Sequence, residues 1–171
     1  EPLTCTVLLR RILCEQIIES DPYLHQSGHF LMGDIQLWAE MATMARLYYI
    51  PESLATYNNI TEESATRSRD VNKGLRFSIS AAELRIYLCN KYNLPHRLKD
   101  KYERYFDECT LRLAFHLRSE ELADEVGRRK KVFTCEEWLL YYGAKSSIAH
   151  YILRIAVFFR NIFRKSHSQW Q

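Results

Sequence analysis

The 171 residues are 47% apolar and 26% charged, the make-up of a chain that buries one sizeable core, which sets aside disordered, fibrous and membrane-spanning classes. The net charge of +3 is small and both signs are mixed along most of the sequence, so no nucleic-acid partner is expected. Five Gly and four Pro leave few obligatory turns or helix breakers, and the chain should be mainly helical.

The chain opens on Glu1 and runs directly into Thr4, Thr6, Val7, Leu8 and Leu9, β-prone residues bounded by Pro2 and the pair Arg10-Arg11. A short buried strand is expected there, and the lack of an initiator Met or a basic leader suggests a piece of a larger protein. A helix should follow from Arg11 to Glu19 and end at Asp21-Pro22, because the residue before proline is pushed out of the α region. The mixed stretch from Leu24 to Met32 reads as a loop. Asp34 then opens a helical pattern with Ile35, Trp38, Met41 and Ala45 on one stripe.

Leu47 to Ile50 is a second β-type run, stopped by Pro51, and residues 57–69 are polar and turn-rich. Beyond Asp70 the 3.6-residue period takes over. Helices are expected over Asp70 to Tyr92, Arg97 to Arg118, Ser119 to Lys130, Glu136 to Tyr142 and Ser146 to Arg164, with Thr134 and Glu137 spaced as a capping box. The expectation is therefore an α+β, mainly helical chain. Residues 1–70 would form a short α/β piece that finishes a sheet begun upstream or leans on the bundle, and residues 71–171 a helical bundle.

Cys5, Cys14, Cys89, Cys109 and Cys135 are widely spaced, with no CxxC pair. They suit neither a disulfide framework nor a structural zinc site, and read as reduced, mostly buried thiols of a cytosolic protein.

Three blocks occur in a telling order. Phe30-Leu31-Met32-Gly33-Asp34-Ile35-Gln36-Leu37-Trp38 precedes the run from Leu47 to Tyr57, which closes on Leu54-Ala55-Thr56-Tyr57, and Ser64-Ala65-Thr66-Arg67-Ser68 follows. Together with the upstream Thr4-Cys5-Thr6-Val7-Leu8-Leu9-Arg10, they resemble the downstream half of bacterial family 2 glycosyltransferases. The resemblance covers roughly the first seventy residues. It implies the end of a GT-A type α/β sheet followed by a helical bundle, inverting transfer from a nucleotide-diphosphate sugar, a divalent metal (Mg or Mn) in the intact parent, and a saccharide or lipid-linked acceptor. It also implies Asp34 as the general base, which would take the proton from the attacking acceptor hydroxyl.

Asp34 has a plainer reading as well: Asp is a preferred N-cap, and here it stands at the start of an amphipathic helix. Arg67 lies near the place where many relatives carry a His that assists the metal or the diphosphate. It could bind the diphosphate by charge-assisted hydrogen bonds, or be a solvated loop charge like Arg69. Trp38 and Tyr57 could stack on a sugar face or serve as core. His25 and His29 have the i, i+4 spacing of helix-borne zinc ligands but are separated by Ser27 and Gly28. They read as loop histidines, with His29 a candidate at the acceptor entrance.

No Asp-x-Asp occurs anywhere, and the glycines at 28, 33, 74, 127 and 143 form no phosphate-cradling loop. The donor and metal sites are thus expected outside this chain, which alone should be inactive and hold no cofactor. The helix from 148 to 165 carries too many charges to span a bilayer, but its basic, aromatic make-up fits peripheral contact at the inner face of the plasma membrane. Packing of its stripe at 152, 155, 159 and 163 into the bundle is the competing expectation. The rival to the enzyme reading is a non-catalytic helical interaction domain.

Overall fold

The computed structural model describes residues 7–46, 48, 50–52 and 70–155. Among these residues all regular structure is helical. The elements are α1 (Arg11–Ser20), α2 (Pro22–Gln26), α3 (Gly33–Met44), α4 (Val71–Lys91), α5 (His96–Leu117), α6 (Glu120–Arg129) and α7 (Cys135–Lys145), followed by α8, described over 147–155. The two runs expected to form strands lie partly outside the described residues. Their described parts, 7–10 and positions 48 and 50, have no regular structure. Tyr57 and Arg67 lie outside the described residues.

Side-chain caps explain most of the helix starts. Asp21 Oδ1 accepts a hydrogen bond from the Leu24 N–H at 3.0 Å and Pro22 occupies the first turn of α2, so the dipeptide that ends α1 also begins the next helix. The loop expected over 24–32 therefore shortens, and His25 sits on α2 rather than in a loop. Asp70 caps α4 through the Asn72 and Lys73 N–H groups, and Ser119 caps α6. Thr134 and Glu137 form the expected capping box on α7. α4 and α5 both follow the expected spans to within a residue or so. Asn93 (φ 47°) closes α4 in the left-handed region, where Asn is tolerated in place of glycine.

The chain divides into two compact units, 1–104 and 105–171, with the division inside α5. In the first, α1, α2 and α3 pack on one another. Leu24 and Phe30 form a core with Leu84 and Leu88 of α4, against which Ile35, Ala39 and Tyr92 pack. In the second unit α6 packs on α7, and the centre is small: Ala114, Ala123 and Ala144 meet, bordered by Leu122 and Tyr141.

Close approach in the second unit depends on Gly143. A Cβ there would lie 2.6 and 2.7 Å from two Phe115 ring carbons and 2.9 Å from Leu153 Cδ1. The Phe115 ring is itself stacked on His150 at 4.4 Å and has little room to retreat. Gly143→Ala should therefore destabilise by roughly 1–2 kcal/mol, the overpacking cost exceeding the helix-propensity gain. Gly74→Ala in α4, where a Cβ would meet nothing within 4 Å, should stabilise by about 0.5–1 kcal/mol. Thermal melts of the two variants check the opposite signs.

Candidate functional site

Asp34 stands in the first turn of α3 and is exposed. The N-cap of α3 is Met32, which makes no side-chain cap bond. Asp34 is thus one of the first helical residues rather than the cap, and its Oδ1 accepts a hydrogen bond from the Ile35 N–H at 2.9 Å. Beside it, Gly33 has open space where a side chain would be. The helix behind them is well anchored: Gln36, Glu40 and Met41 are buried, and Ile35 and Ala39 pack on the core of the first unit. The loop before α3 is pinned too, since the Leu31 N–H donates to Ser80 Oγ of α4 at 2.8 Å.

Trp38 follows Asp34 by one helical turn, so the two share a face of α3. Its indole is half-buried, and its Nε1 is buried with no hydrogen-bond partner among the described residues. His29 Nε2 lies 2.9 Å from Glu83 Oε1 of α4, and its ring meets Phe30 edge-on at 4.8 Å and Tyr23 at 5.6 Å. The His29 ring thus meets Tyr23, Phe30 and Glu83, and its backbone N–H donates to Ser27 Oγ at 3.1 Å.

Beneath α3 lies a polar centre that sequence reasoning missed. Lys91, at the end of α4, donates from Nζ to Asp21 Oδ2 at 2.6 Å and to Glu40 Oε2 at 3.0 Å. The Tyr87 hydroxyl donates to Asp21 Oδ2 at 2.8 Å, and the Tyr92 hydroxyl donates to Glu40 Oε1. Asp21 and Glu40 are 9% and 3% exposed, so two carboxylates and one ammonium share a largely dry site. Burial pushes the Asp21 carboxyl up, but the hydrogen bonds from Lys91, Leu24 N–H and Tyr87 outweigh it and hold the group below the usual carboxylate range. Burial likewise pushes the Lys91 ammonium down, and its bonds to Asp21 and Glu40 prevail and raise it. Both phenols are pushed up, first by burial and then by the carboxylate each one faces.

His25 borders this centre. Its Nε2 is buried without a hydrogen-bond partner among the described residues, and burial lowers its basicity against the opposing pull of Glu40 and Asp21.

What this centre does for the site is mechanical. It ties the α1–α2 junction, the middle of α3 and the end of α4 together through charge-assisted bonds, which fixes the axis on whose first turn Asp34 rides. The sequence held one faint signal of it: Gln36 and Glu40, four residues apart, lie beside the apolar stripe of α3. Glu40 and its partner Lys91 are 51 residues apart, a distance that no local period reveals.

Comparisons with known proteins return no matching family model, no similar curated protein and no similar solved structure.

Proposed function

We propose that this chain is the acceptor side of an inverting, nucleotide-sugar-dependent glycosyltransferase that builds a cell-surface glycan, with Asp34 as its general base. The observation that carries the reading is the ordered set of blocks at 4–10, 30–38, 47–57 and 64–68. The exposed carboxylate on the first turn of a braced helix, beside an open glycine, is a geometry such a base requires.

In the reaction, the acceptor oxygen bonds to the anomeric carbon as the bond to the nucleoside diphosphate breaks. Asp34 takes the acceptor's proton, and the diphosphate leaves with the bonding electron pair. Trp38, on the same face, offers an aromatic surface to the acceptor sugar, His29 borders its approach, and Tyr57 and Arg67 belong to the same acceptor and diphosphate region by their place in the blocks. In this reading residues 4–10 and 47–50 hold the sequence positions of the last strands of a GT-A sheet, and the described ones among them, 7–10, 48 and 50, have no regular structure here. Among the described residues no three His, Cys, Asp or Glu side chains gather as a metal site. The chemistry this reading assigns to the chain is proton removal by the Asp34 carboxylate.

A direct consequence concerns the donor. Without an Asp-x-Asp or a Gly-rich loop, the 171-residue chain should give no heat of binding with uridine or guanosine diphosphate sugars in titration calorimetry. The intact enzyme should bind one of them. Micromolar binding by the 171-residue chain would mean that the donor site has been placed in the wrong half.

A further inference from the structure

α5 leaves its connection to α4 at Pro95, whose carbonyl accepts from the Leu98 N–H at 2.9 Å and the Lys99 N–H at 3.4 Å. A cavity of about 440 Å³ opens along the first turns of the helix, lined among the described residues by Pro95, Arg97, Leu98, Lys101 and Arg104. Arg97, Lys101 and Arg104 have the i, i+4, i+7 spacing of one helix face, and all three are exposed. The side of α5 that meets α4 is a different one, since Arg85 of α4 lies 5.8 Å from the Tyr102 ring. The three cations therefore border open space rather than a packed contact.

No carboxylate among the described residues pairs with any of the three. Arg104 donates from Nε to the backbone carbonyl of Asp100 at 3.2 Å, and Arg97 and Lys101 form no ion pair there. The acids of α5 do not remove the excess. Over 96–104 four Lys or Arg stand against two acids, Asp100 and Glu103, and Glu103 faces Lys99 at 3.8 Å. Farther along, Asp107 is held by Arg129 at 3.2 Å and Glu108 by Arg112 at 2.8 Å. Arg97 and Arg104 are seven residues apart, about 10 Å along the axis, so a single carboxylate would reach one of them at a time. A terminal phosphate brings two charges and three acceptor oxygens, and the planar guanidinium forks match it in bidentate fashion. A diphosphate end reaches farther along the face. Pro95 and Leu98 give the same cavity an apolar border for the organic part of such a ligand.

We infer that the cavity at the start of α5 is a binding site for a terminal phosphate or diphosphate group, held by Arg97, Lys101 and Arg104. The inference does not depend on glycosyl transfer. Nucleotide sugars, whose diphosphate is esterified at both ends and carries one charge per phosphate, remain outside it. The 171-residue chain is titrated with inorganic pyrophosphate by calorimetry at low and high salt. Binding with Kd below about 1 mM is expected at low salt, weakening as salt rises. Arg97→Gln and Lys101→Gln, at exposed positions, should each lower the affinity about tenfold, and Asp100→Asn, which removes the neighbouring acid, should raise it. Lys131→Gln, an exposed cation outside the cavity, should leave it unchanged. Circular dichroism checks that each variant keeps the fold. Vesicles of phosphatidylcholine with phosphatidic acid, whose head group is a terminal phosphate, distinguish the source. No helix among the described residues is long and apolar enough to cross a membrane. Pelleting that Arg97→Gln abolishes would assign the site to a lipid head group, and pyrophosphate binding without pelleting would assign it to a free phosphorylated compound. No heat with millimolar pyrophosphate, or a loss in Lys131→Gln equal to that in Arg97→Gln, would overturn the inference.

Discussion

Lys91→Met should lower the unfolding free energy of the chain by about 3–5 kcal/mol at neutral pH, the usual cost of leaving buried charge without its partner. Methionine keeps the length and most of the volume of the side chain, so lost packing contributes little. What it removes is the one ammonium that serves both Asp21 and Glu40. The tyrosine hydroxyls remain, but they are neutral donors and cannot offset two carboxylates in a site this dry.

The pH dependence follows from the direction of each shift. In the parent chain Asp21 is held below its ordinary range. Its stabilisation is therefore complete above the unfolded carboxylate pKa, about 3.9, and is lost as pH falls through the lower folded value. Lys91 is raised, so its share is complete below the ordinary ammonium range and lost only as pH climbs through the higher folded value. Between those limits the parent is insensitive to this centre. In Lys91→Met the attraction of the ammonium is gone, and burial, which raises a carboxyl, is opposed only by the neutral Leu24 N–H and Tyr87 donors at Asp21 and Tyr92 at Glu40. The deficit should then be largest near pH 7 and shrink toward pH 4, where protonation removes the uncompensated charge. Urea midpoints at several pH values measure this, and a deficit that stays constant from pH 7 to pH 4 would show that the centre is not held by charge.

The long helices were readable in the sequence because their period and their caps are local properties. The window from Asp70 to Tyr92 became α4 at Val71–Lys91, and the Thr134/Glu137 spacing became a capping box. Asp21-Pro22 was only half readable. Proline ends the helix before it, but it also fits the first turn of the helix after it, and the second effect produced α2 from residues expected to be loop.

Asp34 shifted in the other direction, from candidate cap to first-turn residue, because the backbone turns helical at Gly33. Ile152 and Ile155 were expected to pack if the helix joined the bundle, yet both are exposed, and α8 instead turns the half-buried Leu153 and His150 inward. The polar centre was unreadable for a different reason. Asp21, Glu40 and Lys91 each look like ordinary surface charges, and only the tertiary fold brings them within 3.0 Å.

The second large effect concerns Asp34 itself. Under the proposed function, Asp34→Asn in the intact protein deletes the proton acceptor while changing almost no volume, and loss of a positioned general base costs about 10²–10⁴ in rate. Because Asp34 is exposed and Met32 is the N-cap, the substitution should change stability by no more than about 1 kcal/mol, the scale of a helix-dipole interaction. Donor affinity should hold as well, since the donor site is assigned to other residues. The loss should therefore fall on kcat with the donor KM little changed.

The decisive measurement is the rate of sugar transfer to acceptor by intact enzyme carrying Asp34→Asn, taken beside its melting temperature and its donor affinity. A rate lower by 10²–10⁴ with melting and donor binding preserved is the predicted result. Transfer within a few-fold of the parent rate would contradict it and leave Asp34 as a first-turn residue of α3 without a part in the chemistry.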